Sequence, residues 1–161
     1  MVSAHQPGPN ARARYSTALQ KAALAVGAVF LLVGILGFIP GITTDYGTMK
    51  FAGYESGAHL LGIFHVSILH NVVHLLFGIA GLLMARTFSA ARAYLIGGGA
   101  IYLVLFLYGL VIDRDSAANF VPVNMADNWL HLALAIGMIG LGVALSRSAV
   151  HAHRPVNGDR R

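Results

Sequence analysis

Four stretches of this chain are apolar for the length of a membrane-crossing helix: roughly Ala18 to Ile39, Leu60 to Ala85, Arg92 to Ile112 and Asp127 to Leu145. A helix rises 1.5 Å per residue, so about 20 apolar residues cross a hydrocarbon core of roughly 30 Å. Only 11% of the residues are charged, against about a quarter in soluble domains, so water is not the main solvent. The expected fold is all-α: an integral membrane four-helix bundle, built as one four-span domain over residues 17–146. The tails, 1–16 and 147–161, lack apolar periodicity and are expected to be disordered and cytoplasmic.

The formal charge of +5 is distributed as a topological signal. Arg12, Arg14 and Lys21 precede the first span, Arg86 and Arg92 flank the second connection, and Arg147, Arg154, Arg160 and Arg161 follow the fourth. Lys50 and Arg114 are the cations of the other two connections. Nine against two places both termini in the cytoplasm of a multi-pass plasma-membrane protein. Charge spread in this way gives no surface for nucleic acid. The first apolar run ends in Phe38-Ile39-Pro40-Gly41 without a small-x-small cleavage site, so it reads as a retained span. Lacking cysteine, the chain has no disulfides, thiolate metal sites or c-type haem attachment.

Ionisable residues inside spans mark functional positions by default. At about 100° per residue, Ser67, His70, Asn71, His74, Gly78 and Gly81 share roughly one third of the second helix, opposite an aliphatic arc. His70 and His74 fall near the middle of that span. His65 falls on the lipid-like side and His59 at the outer end. In the fourth span, His131 shares a face with Asp127 and Asn128 and lies nearer the outer end. Asn124 followed by Asp127 reads as a helix start. Tyr102, near the middle of the third span, needs a hydrogen-bond partner, and a histidine of the second span is available.

If these faces meet, His70, His74 and His131 form a candidate cofactor-binding group, with Ser67, Asn71, Tyr102, Asp127 and Asn128 as its polar surroundings. Haem b held by two imidazoles, a divalent metal ion, and a path for protons or a small solute all suit buried histidines. The H-E-x-x-H motif is absent, and no catalytic residue is identified. A structural role is the first expectation: imidazoles, Asn71, Ser67 and Tyr102 bond one another and fix the bundle, as in a structural or interacting envelope component. The partners expected are the lipid bilayer and a second copy or another membrane protein.

Three stretches carry a resemblance: Gly34-Ile35-Leu36-Gly37-Phe38-Ile39-Pro40-Gly41, Leu69-His70-Asn71-Val72-Val73-His74-Leu75-Leu76-Phe77-Gly78, and Asp113 to His131 with Asn119-Phe120-Val121-Pro122 and Asp127-Asn128-Trp129-Leu130-His131. The chain resembles small four-span bacterial membrane proteins, frequent in actinobacteria, grouped as domain of unknown function 4383. The resemblance covers about Ala18 to Leu145. It implies a plasma-membrane protein and brings no activity or ligand residues with it.

Overall fold

The computed structural model describes residues 17–152. Four helices dominate: α1 (Ala18–Leu36), α2 (Ile68–Met84), α3 (Phe88–Val111) and α4 (Met125–Ala152). The class is all-α, as the apolar runs require. By length and composition α1, α3 and the Met125–Ser148 part of α4 can cross a membrane, and α2 is a shorter apolar helix. The expected tail 1–16 lies outside the described residues, as does 153–161, whereas α4 continues past Arg147, where the second tail was expected to begin.

Helix starts follow from capping. Thr17 accepts from the Gln20 backbone while the Gln20 side chain returns to Thr17, a reciprocal box. Ser67 and Thr87 cap α2 and α3 through the backbones of His70 and Ala90. Asn124 Oδ1 accepts from the Asp127 backbone at 2.9 Å and Asp127 Oδ2 from the Asn124 backbone at 2.9 Å, as the asparagine–aspartate spacing anticipates.

α1 packs chiefly against α2 and α3 against α4, giving two hairpins laid together. Glycine decides the first contact. A Cβ built on Gly78 would stand 2.6 Å from the Leu31 nitrogen, and one on Gly81 2.7 Å from the Gly27 Cα. The main core gathers Leu19, Ala23, Phe30, Tyr94, Leu95, Tyr102 and Met138. Val29, Leu32, Leu76, Ile79, Val104, Leu107 and Ile136 point outward and are exposed, giving the helices an apolar outer surface suited to lipid.

Away from water, carbonyls at a helix end need protein partners. The buried Gln20 amide donates to Ala85 O at 3.1 Å and Arg86 O at 3.0 Å, joining the start of α1 to the end of α2. Gln20→Ala is therefore expected to cost about 1–3 kcal/mol, read by reversible unfolding in mixed micelles, with Gln20→Glu intermediate. An unchanged free energy would show those carbonyls find other partners.

The connection between α1 and α2 departs from the expected long second span. Residues after Leu60 leave the helical path, with Leu61 at φ 55° and Gly62 at φ 71°. They turn a small antiparallel sheet of β1 (Thr43–Thr44), β2 (His59–Leu60) and β3 (Phe64–His65), paired Thr43 to Leu60 and Leu60 to Phe64. Ala58, Leu60 and Val66 form a second small core under it, against Val33 and Leu36 of α1. The connection is tied to α4: the His65 backbone donates to Asp127 Oδ2 at 2.9 Å and Asn124 Nδ2 to Ile63 O at 2.7 Å.

His65 is consequently not a lipid-facing helical residue. It lies half-buried in the sheet, its Nε2 bonded to Ser56 O and its ring stacked on His59 at 5.0 Å. Burial, partly opposed by the Ser56 bond and reinforced by His59, pushes its pKa below the ordinary value of 6.5. The closed connection thus holds His65 neutral while an opened one binds a proton below about pH 6.5, so stability falls as pH falls through that region. Amide exchange in 58–66 is expected to accelerate below pH 6.5 relative to α1. The acceleration should shrink in His65→Gln; if it does not, another group titrates.

Candidate functional site

The late start of α2 moves its histidines. Ser67 is the N-cap, so His70 lies in the first turn, with its backbone donating to Ser67 Oγ at 3.1 Å, and His74 follows one turn on. Measured from the midpoints of α2 and of the Met125–Ser148 part of α4, His70 stands about 9 Å toward the sheet and His131 about 8 Å. The depth mismatch expected from a longer second span is thereby removed.

The His70 and His74 ring centroids are 4.2 Å apart. Phe30 of α1 meets the His74 ring edge-on at 5.5 Å and stacks on Tyr102 of α3 at 5.4 Å. Tyr102 in turn meets His131 at 5.3 Å. Its ring contact is thus with a histidine of the fourth helix and not of the second. Sequence reasoning missed Phe30, although its spacing from Ala23, Gly27 and Gly34 puts it on the same inward face of α1.

Two cavities share these histidines. One, of about 100 Å³, lies toward the sheet and is lined by Val33, Leu36, Phe64, Asp127 and Leu134 together with His70, His74 and His131. The other, of about 380 Å³, lies against α3 and is lined by Val73, Ile101, Tyr102, Val104, Leu105 and Val123 with the same three histidines. Exposures of 5%, 8% and 6% leave His70, His74 and His131 more than nine-tenths buried. Yet the Nδ1 atom of each is buried without a hydrogen-bond partner. No hydrogen bond joins two of the three among the described residues. A buried unpaired polar atom costs about 1–3 kcal/mol. Although Tyr94, Arg114 and Asn128 each carry one elsewhere, only here, among the described residues, do three belong to rings that line the same two cavities.

The other polar residues divide. Asp127 is buried on the wall of the smaller cavity, with Oδ2 accepting from two backbone amides. Tyr102 lines the larger one. Ser67 serves as the cap of α2. Asn71 turns toward α1: it packs on Gly37, where a Cβ would collide with its amide, and its Nδ2 lies 4.0 Å from Met49 Sδ. Asn128 packs in the same manner on Gly109 of α3. Neither asparagine lines either cavity.

The donor set limits what the space can hold. Among the described residues, no group of three or more His, Cys, Asp or Glu side chains is placed to hold a metal ion, so the divalent-metal expectation is not supported. Haem b carries two carboxylates, and neither cavity presents a lysine or arginine to receive them. The residues present do not fit haem. They do fit an uncharged molecule: a neutral imidazole offers one donor and one acceptor nitrogen, and a tyrosine hydroxyl offers both.

Residues 20–144 match the family model described as Domain of unknown function (DUF4383). The chain belongs to this family. The match includes all four helices in whole or large part and every residue of the histidine site. No curated protein matches the chain, and no solved structure does. Membership of this family fixes no chemistry, and a function rests on the site itself.

Proposed function

We propose that this member of the DUF4383 family is a multi-pass plasma-membrane protein whose bundle core binds a small uncharged molecule at His70, His74 and His131. The distribution of cations supports cytoplasmic termini and an outward-facing sheet. The observation that carries the binding role is the set of three unpartnered Nδ1 atoms beside two shared cavities. A purely structural network, the first expectation from the sequence, requires these imidazoles to bond one another and their neighbours across helices. Bonds of that kind contribute only about 0.6 kcal/mol each in membranes, too little to offset three orphaned atoms.

Protein labelled with ¹⁵N at histidine, stripped of bound lipid and placed in nanodiscs, tests the reading. Adding an organic-solvent extract of the producing membrane is expected to shift the His70, His74 and His131 resonances while leaving those of His59 unmoved. Invariant resonances of all three would count against a binding site.

A further inference from the structure

The larger cavity has an asymmetry that narrows the chemistry of its occupant. Its rim, at Val73, Ile101 and Val104 of the helices and Phe120 of the α3–α4 connection, is 42%, 53%, 64% and 57% exposed and apolar throughout. Its inner wall is made by the buried histidines and Tyr102. A molecule entering here comes from the hydrocarbon, apolar part outermost, and presents hydrogen-bonding atoms to the interior. No Asp, Glu, Lys or Arg lines this cavity, which excludes a phosphate, carboxylate or ammonium headgroup. Its volume of about 380 Å³ lies within the usual range of roughly 300–1,000 Å³ for small-molecule sites.

The polar groups also stand on different helices. His70 and His74 come from α2, Tyr102 from α3 and His131 from α4, while α2 and α4 hardly touch. Donors on separate walls match a head with acceptors at two ends. The rings of Phe30, Phe77 and Tyr102 touch one another at 4.9–5.6 Å, and they hold Tyr102, the one of the three that lines the cavity, in place.

From this we infer that the site takes an isoprenoid quinone, its ring carbonyls accepting from imidazoles on α2 and α4 and its tail leaving past Val104 into the bilayer. The inference rests on the binding role proposed above and assigns its ligand class. It concerns binding alone and involves no electron transfer.

The test uses full-length protein in nanodiscs and a 1,4-naphthoquinone with a two-unit isoprenoid tail, followed by equilibrium partition and by the histidine ¹⁵N resonances. Saturable binding is expected, weakened at least tenfold by His131→Leu, which removes the α4 donor, and by Val104→Trp, which blocks the rim without entering the core. A fifteen-carbon isoprenoid alcohol should bind at least tenfold more weakly, since it offers one polar atom where the site has two walls. Equal affinity for the alcohol, or full binding by both variants, overturns the assignment. If the imidazoles respond to the membrane extract but not to the quinone, the ligand class is wrong and the site stands. A response to neither overturns both.

Discussion

Gly78→Leu is expected to abolish the stable bundle, at a loss of about 3 kcal/mol or more by reversible unfolding in mixed micelles. The cause is backbone proximity. The new Cβ would lie 2.6 Å from Leu31 N and 2.8 Å from Gly27 O, and neither atom can swing aside as the end of a side chain can. The α1–α2 hairpin would have to part along its length, separating Gly27 from Gly81 and the Phe30 ring from His74. Close approach of small residues is also what holds helices together in lipid, where no hydrophobic force between them exists. Gly97 and Gly137 provide the control, since a Cβ at either meets nothing within 4 Å. Alanine there is expected to be neutral or to gain up to about 1 kcal/mol from helix propensity. Equal tolerance of Gly78→Leu and Gly97→Ala would refute the packing described.

Replacing His74 and His131 together by leucine is expected to act in the opposite direction on the ligand-free protein. Each imidazole carries a buried Nδ1 with no partner, and an apolar side chain of similar size removes that cost of about 1–3 kcal/mol without opening a large void. The double variant should therefore unfold at equal or higher denaturant than stripped wild type, while losing any stabilisation by ligand. Were these histidines the lock of the bundle, the same change would leave their former partners unpaired. A loss above about 2 kcal/mol in the stripped protein would show that.

Much of this arrangement is legible in the sequence, and the exceptions have physical reasons. Helical periodicity alone puts His70 and His74 on the inward face of the second helix and His131 on that of the fourth, because one side of each helix is polar and small. Periodicity does not reveal where a helix begins when apolar residues precede it. Leu60, Leu61, Ile63 and Phe64 look like more of α2, but positive φ at Leu61 and Gly62 turns them into a hairpin, so Ser67 becomes a cap and His65 a sheet residue. Nor does it distinguish polar residues that share an arc. Asn71 and Asn128 were grouped with the histidines, yet Gly37 at the end of α1 and Gly109 of α3 leave hollows that receive them. Such fits depend on which helices adjoin, and no single helix carries that information.

The central claim, that the histidines enclose a bound molecule, is tested most directly by native mass spectrometry of protein released gently from membranes. Wild type is predicted to carry an additional small-molecule mass that collisional activation removes and that His131→Leu lacks. Bare protein mass for both, or the same additional mass on both, would contradict it.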